Sequence, residues 1–413
     1  MDGATGVTEF LNQWRARHHG SHRHLIDTPS TPYPMDVDAI VVPTCREAGA
    51  MRTAMQLARQ LDCTLLALCS KQSSAEAVAN LPEAKGVKLI AIDAGELPPG
   101  VLPEFETSRR VARTLFERRT DISAKRNLGL LLARLIGWNK IVFLDDDITV
   151  REPTDLRAAA GLTSYYAGVG LRIVGMPDNS VVCHAYREAG GPQDMFIGGG
   201  ALAVAADSTT SFFPNIYNED WFFLLDDDVL QATALTGSAE QEPYDPFASE
   251  DRAKREEFGD TLAEGLFWLL DHGKPIQGAD HAFWERYIGI RREFIDEVAA
   301  RVDVRITDPN RHFRMLTSLD ASRRRNKAIT PRLCVEYVDA WRKDRYTWRR
   351  HLHEMYRNHV VKKRMAHRDR RSVVGVRKML RSLGLRSFRV SVPERLDHDA
   401  ADLGVALPTA VGQ

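Results

Sequence analysis

The sequence predicts an α/β protein built on a mostly parallel sheet flanked by helices, with a basic helical extension at its C-terminal end. Three observations predict this. Short apolar runs rich in β-formers recur at 39–42, 63–70, 87–94 and 141–144, each the length of a buried parallel strand. Segments with apolar residues at helical spacing separate them, and that alternation of strand and helix is the signature of a parallel α/β sheet. Composition then shifts. From 305 to 390 about 25 residues are Arg or Lys and fewer than ten are acidic, although the whole chain carries a formal net charge of +0.

The 413 residues are 44% hydrophobic and 27% charged, which excludes a disordered, fibrous or polyelectrolyte chain. The cysteines are Cys45, Cys63, Cys69, Cys183 and Cys334, without a CxxC pair. Reduced thiols are expected, and a zinc or disulfide framework is not. The N-terminus MDGATGVTEFLNQW has no basic-then-apolar leader pattern. No apolar run approaches the roughly 20 residues that span a bilayer. The reading is a cytoplasmic protein that can still touch a membrane peripherally through its basic extension. Four segments follow: an appendage and linker at 1–35, an α/β domain at 36–303, a basic helical module at 304–392 and a disordered tail at 393–413.

Taken in order, the appendage has a short helix around Phe10, Leu11 and Trp14, a His-rich tract, and the Pro-punctuated linker TPSTPYP. Ala39 to Val42 form the first strand, ended by Pro43. Met51, Met55, Leu57, Ala58 and Leu61 give a helix at 50–61. CTLLALCS and VKLIAIDA are the second and third strands, and ELPPG breaks the pattern. A charged helix is predicted at 105–120. SAKRNLGLLLARLIGWNK follows, with Ser123 as N-cap, an apolar face from Leu128 to Ile136 and Gly137 as its stop. Residues 151–165 read as helical, 168–193 as short β-like pieces with Gly and Pro punctuation, and ALAVA (201–205) as a strand. Residues 244–273 read as a loop and then a helix, and 281–302 as another amphipathic helix. The charged run SEDRAKREEFGD reads as a surface face.

Two acidic stretches carry the chemistry. In NKIVFLDDDITV the run Ile141–Leu144 ends in Asp145, Asp146 and Asp147. Ligands of open α/β sheets sit beyond the carboxyl ends of the strands. Three adjacent carboxylates repel unless something positive compensates them, and a hard divalent cation does so. The helix before this strand brings Lys125, Arg126 and Asn127 to its start, where anions are favoured. In SFFPNIYNEDWFFLLDDDVL, Asn218, Glu219 and Asp220 open a second helix and place a candidate general base at a rigid position. Gly198, Gly199 and Gly200 precede a strand and let backbone approach a ligand closely. The second triplet, Asp226 to Asp228, follows a helix and reads as solvated surface.

With these residues in hand, the segment from about 36 to 290 resembles nucleotide-diphospho-sugar glycosyltransferases of the GT-A fold, in particular family 2. AIVVPTCRE resembles the family's opening strand and Pro-Thr loop. KRNLGLLLARLIG resembles its Arg-Asn-x-Gly helix, and FLDDDI its Asp-x-Asp motif. The GGG stretch followed by NEDW resembles its acceptor-side glycine loop and Glu-Asp motif. The resemblance implies a metal-dependent glycosyltransferase with a Rossmann-like sheet. It would move a sugar from a UDP- or GDP-sugar to a hydroxyl acceptor, with inversion. Thr44, Arg46 and Glu47 would lie beside the nucleoside, Arg126 would meet the nucleotide or its diphosphate, and Asp145 and Asp146 would belong to the donor site. Asp147, with Asp145, would bind Mn²⁺ or Mg²⁺, and Asp220 would deprotonate the acceptor. Where the family carries Asp-Asp-Gly-Ser after its second strand, this chain has Cys69, Ser70, Lys71 and Gln72, so the base read by the site is open. A looser similarity to retaining GT-A enzymes acting on glyceric acid derivatives implies a late histidine ligand, with His272 and His281 as candidates. The remaining alternative is a non-catalytic GT-A-like binding protein whose basic module engages nucleic acid or membrane; for the enzyme, a peripheral membrane or other anionic partner of that module is expected rather than nucleic acid. Acceptor contacts are expected from 168–193, 236–250 and the C-terminal helices.

Overall fold

A computed structural model describes residues 25–29, 33–176, 180–192 and 196–391. The predicted N-terminal helix, the His-rich tract and the tail at 393–413 lie outside these residues. Strand β1 (Ala39–Thr44) opens the fold, followed by α1 (Arg52–Gln60), β2 (Thr64–Cys69), α2 (Ala75–Ala79) and β3 (Lys88–Asp93). Next come α3 (Glu106–Val111), α4 (Ile122–Ile136), β4 (Lys140–Leu144), the short β5 (Ile148–Thr149) and α5 (Pro153–Leu162). β6 (Gly168–Val174), α6 (Val181–Glu188), β7 (Ala201–Ala205), α7 (Glu219–Leu224) and β8 (Thr233–Gln241) follow. Four long helices then succeed one another: α8 (Glu250–Asp271), α9 (His281–Arg305), α10 (Pro309–Lys327) and α11 (Pro331–Tyr356). A π-helical turn (Arg357–Val361), α12 (His367–Arg371), α13 (Val373–Ser382) and β9 (Ser387–Phe388) close the described chain.

The strands form one sheet of order β5-β8-β6-β7-β4-β1-β2-β3-β9. β1 pairs in parallel with β2 and β4, and β2 with β3. β7 runs antiparallel between β4 and β6, and β8 is parallel to β6. The short strands β5 and β9 are antiparallel on the edges. The sheet is therefore mixed. From β1 the chain steps outward through β2 and β3, then returns to the other side of β1 as β4. The order reverses between β1 and β4, and loops leaving the carboxyl ends there diverge to leave a crevice.

Side chains alternate across the sheet with the period of a strand. Ala39, Val41, Leu66 and Leu68 face the layer built by α4, α8, α9, α11 and α13. Ile40, Val42, Leu65 and Ala67 face α1 and α5. Covering both faces explains why the central strands read as continuous apolar runs. Ile141, Val142, Phe143 and Leu144 are each 0% exposed, and burying each contributes about 1.5–3 kcal/mol. The last helices share this core: Tyr337, Trp341, Trp348, Val376, Met379 and Leu380 pack in the same cluster as β1 and β4.

Several local expectations are corrected. β1 continues through Pro43 to Thr44; its ladder with β4 ends at Val41 and Phe143, so Pro43 owes β4 no amide proton. The 105–120 helix stops at Val111, because Arg113 turns left-handed at φ +61° and the Thr114 hydroxyl donates to the Val111 carbonyl. α4 begins at Ile122, so Asp121 rather than Ser123 holds the N-cap position; Ser123 is buried and donates to the Pro214 carbonyl. Val181 and Val182 lie in a helix, not a strand: Ser180 accepts from the Cys183 amide at its start, and the valines pack with Phe294 and Val298. The acidic run entering α8 is a surface face only in its first half: Asp251 and Arg255 are exposed, whereas Glu256 to Asp260 are buried. Glu257, Asp260 and Glu264 point inward and converge on Arg291 of α9 at 3.2, 3.0 and 2.7 Å. β8, absent from the sequence reading, occupies part of the expected acceptor loop 236–250.

Candidate functional site

The crevice at the β1/β4 reversal gathers both acidic stretches. Thr44, the last residue of β1, donates its hydroxyl to Asp146 at 2.6 Å. Arg46, two residues on, pairs with Asp146 at 3.1 Å and Asp147 at 2.8 Å. Its side chain is 48% exposed. Burial opposes its charge, and Asp147 and Asp146 outweigh that, holding the guanidinium above its ordinary pKa. Glu47 stands at the start of a 3-10 turn and is exposed. β4 thus delivers the triplet, and β1 delivers the first groups that compensate it.

α4 supplies the inner layer. Lys125 reaches the Thr44 carbonyl at 2.8 Å, the Ser70 hydroxyl at 2.6 Å and Asp121 at 3.2 Å. It ties the ends of β1, β2 and α4 together. Arg126 spans the two acidic stretches. One nitrogen donates to Asp145 at 2.9 and 3.1 Å, and the other to Glu219 at 2.7 Å. Its side chain is 3% exposed. Burial opposes its charge, but Asp145, Glu219 and Asp220 hold its pKa above the ordinary value. Asn127 clamps the loop before α7: its amide donates to the Phe213 carbonyl and accepts from the Phe213 N–H, both at 2.8 Å. Lys125 and Arg126 were expected as an open anion-binding pair. Both are instead buried and committed to protein groups.

The triple glycine makes this bridge sterically possible. A Cβ on Gly199 would fall 2.6 Å from Arg126 Nη1, and one on Gly200 would fall 3.1 Å from Asp145 Oδ2. The Gly200 carbonyl also accepts from the Asp145 amide at 2.9 Å. Opposite lies α7. Asn218 turns left-handed at φ +61° and its amide donates to Asp260 at 2.8 Å, which fixes how α7 starts. Glu219 accepts from Arg118 and Arg126, both at 2.7 Å. Burial pushes its pKa up, and the two guanidiniums more than reverse this, so it sits below the ordinary carboxylate range. Asp220 accepts from the Gly199 N–H at 2.5 Å and the Trp221 N–H at 3.0 Å. Burial and the neighbouring Glu219 push it up to about 6. Burial likewise raises Asp145, against the pull of Arg126.

Asp145, Arg126, Glu219 and Asp220 line one cavity of about 220 Å³, together with Tyr217, Tyr244 and Arg252. Arg252 donates to the Tyr244 hydroxyl at 2.7 Å. Arg118 and Arg252 are additions that sequence reading missed. Each sits in a run of charged residues with nothing local to distinguish it. His272 caps the end of α8, with Nδ1 2.8 Å from the Trp268 carbonyl, and His281 starts α9 in solvent. Neither lines the cavity.

Among the described residues no group of three or more His, Cys, Asp or Glu side chains forms a ready-made metal site. The charge of the crevice nevertheless suits a divalent cation. Asp145, Asp146, Asp147, Glu219 and Asp220 stand near Arg46, Arg118 and Arg126, five carboxyls to three guanidiniums. Mg²⁺ is commonly bound by one or two carboxylates plus phosphate oxygens, without an all-protein cage. Asp147, whose carboxylate pairs among the described residues with the half-exposed Arg46, fits that role better than Asp145, whose two oxygens both accept from the buried Arg126. No protein-family model and no curated protein matches the chain.

Proposed function

We propose that the chain is a metal-dependent glycosyltransferase that takes a sugar from a nucleotide-diphospho-sugar and passes it to an acceptor hydroxyl with inversion. One observation carries this reading. Two acidic stretches about 70 residues apart meet at a single cavity beyond the carboxyl end of β4: Asp145, the first carboxylate of the triplet, lines it together with Glu219 and Asp220, and the Asp220 pKa is lifted to about 6. A general base works best when its pKa lies near the operating pH.

In this reading the donor lies over the carboxyl ends of β1 and β4, beside Thr44, Arg46 and the triplet. A divalent cation held by Asp147, with Asp145 beside it, would neutralise the diphosphate oxygens as negative charge develops on them. Arg46, half exposed and paired with Asp146 and Asp147, is the guanidinium that would meet phosphate, which its fork of donors matches. Asp220 takes the proton of the acceptor hydroxyl. That oxygen bonds to the anomeric carbon while the bond from this carbon to the diphosphate oxygen breaks, and the electron pair leaves with the nucleoside diphosphate. Arg126 joins Asp145 to Glu219, the residue before Asp220, and so sets the two acids across the cavity.

The test is thermal stabilisation by UDP and by GDP, each with and without Mn²⁺, on the wild type and on Asp147→Ala. Binding to the folded chain raises its melting temperature by mass action. A metal-dependent rise with one nucleotide, lost in the variant, is expected. No rise with any nucleoside diphosphate on a folded protein would overturn the proposal in favour of a non-catalytic binding protein.

A further inference from the structure

We propose that the surface formed by the π-helical turn and α13 is a docking site for an anionic lipid bilayer. Between Arg357 and Arg389 the chain carries twelve Arg and Lys residues and one acid, Asp369. Earlier cations of the C-terminal helices are spent on the protein itself: Arg311 on Glu188 and Asp245, Arg345 on Asp226 and Asp227. Arg357, Lys362, Lys363, Arg364, Lys378 and Arg381 are different. All six are exposed, and none has a carboxylate partner among the described residues.

These cations form one patch rather than two. His359 in the turn lies 3.0 Å from the Ser382 hydroxyl at the end of α13 and 3.5 Å from the Lys363 ammonium. That contact sets the Lys362–Arg364 run beside Lys378 and Arg381. On α13, Val374, Lys378 and Arg381 fall at i, i+4 and i+7, one outward face, while Val376, Met379 and Leu380 are buried in the main core. The helix is therefore a fixed platform. It runs from the amino edge of the sheet, where Arg371 pairs with Asp38, to the carboxyl edge, where Gly384 packs beside Pro98.

Clustered Lys and Arg on an amphipathic helix are attracted to the negative potential of anionic lipid. The apolar side chains among these cations decide between a bilayer and a nucleic acid. Val361 is 57% exposed and Val374 is 75% exposed. Aliphatic groups of this kind enter the headgroup boundary, whereas single-stranded nucleic acid is held by aromatic rings on which bases stack. The docking proposal does not depend on the catalytic reading.

The experiment is co-sedimentation of the full chain with vesicles of phosphatidylcholine alone or with 30% phosphatidylserine, together with binding to a single-stranded RNA oligonucleotide. The wild type is expected to pellet with the anionic vesicles and not with the neutral ones, and to lose binding as salt rises. Lys362→Glu/Lys363→Glu/Arg364→Glu should weaken partitioning by about 100-fold or more with an unchanged circular dichroism spectrum. Lys378→Glu/Arg381→Glu on the other half of the patch should act in the same direction. Failure of the wild type to pellet with anionic vesicles, pelleting of both variants like the wild type, or tighter binding to the oligonucleotide than to the vesicles would each overturn the proposal.

Discussion

Glu219 and Asp220 are neighbours in sequence, yet their surroundings separate them. Glu219 takes two guanidiniums and stays ionised, while Asp220 takes two backbone N–H groups and is raised to about 6 by burial and by Glu219. Pairs of acids pushed apart in this way commonly divide structural and proton-transfer roles. Transfer should therefore rise with pH through about 6, and Asp220→Asn should lower the rate by about 10²–10⁴-fold. Stability should move the other way. A carboxyl whose pKa is raised by folding binds its proton more tightly in the folded chain, so stability falls as pH rises from about 4 through about 6. At pH 8 the Asn variant should be about 1–3 kcal/mol more stable than the wild type in urea titration, a gain that vanishes below pH 4. Arg126→Met has the opposite character. It leaves Asp145 and Glu219 without their shared guanidinium, and removing one partner of a buried ionic network costs about 3–5 kcal/mol. A variant with the wild-type urea midpoint would show that this bridge does not hold the crevice together.

At the scale of elements, what was legible followed burial. The central strands announced themselves because both faces of the sheet are covered, and α4 did so through its apolar stripe and its stop at Gly137, φ +89°. β8 was invisible because TALTGSAEQ neither alternates nor runs apolar; its place is set by pairing with β6. The buried acids of α8 were misread because a carboxylate reads as solvated unless its partner is known, and Arg291 lies 27 to 34 residues further on. The same holds for the second triplet. Asp226 and Asp227 stay half exposed but accept from Arg345 of α11, whose own side chain is 2% exposed. Asp145, Asp220 and Gly198 to Gly200, which line the cavity, were named from the sequence, while Arg118 and the inward commitment of Lys125 and Arg126 arise from tertiary packing alone. Asp344 of α11 fixes another joint: it accepts from the Glu106 and Thr107 amides and the Thr107 hydroxyl at 2.7–2.8 Å. Asp344→Ala strands these buried donors and should cost about 3 kcal/mol. Faster hydrogen exchange at the Glu106 and Thr107 amides, with the β1–β4 amides unchanged, would check that the effect is local to the α3–α11 joint.

For the whole molecule, the C-terminal helices behave in the structure as part of the sheet's own core. Phe222, which follows the candidate base by two residues, meets Trp341 edge-on at 5.6 Å and Tyr337 at 6.0 Å. Phe105 lies 6.4 Å from Trp348. β9 adds a final strand to β3, and Arg371 pairs with Asp38 just before β1. Burial of Tyr337, Trp341 and Trp348 alone contributes on the order of 10 kcal/mol, which matches the entire net stability of an ordinary domain, about 5–15 kcal/mol. All three rings are buried in the main core cluster, which is their apolar environment. The chain from β1 to β9 should accordingly unfold as one cooperative unit. Scanning calorimetry should give a single transition whose calorimetric and van't Hoff enthalpies agree, and a chain ending at residue 304 should aggregate or fail to fold. Two resolved transitions, or a soluble folded 1–304 chain, would instead show that the basic helices form a domain of their own, docked against the sheet without completing its core.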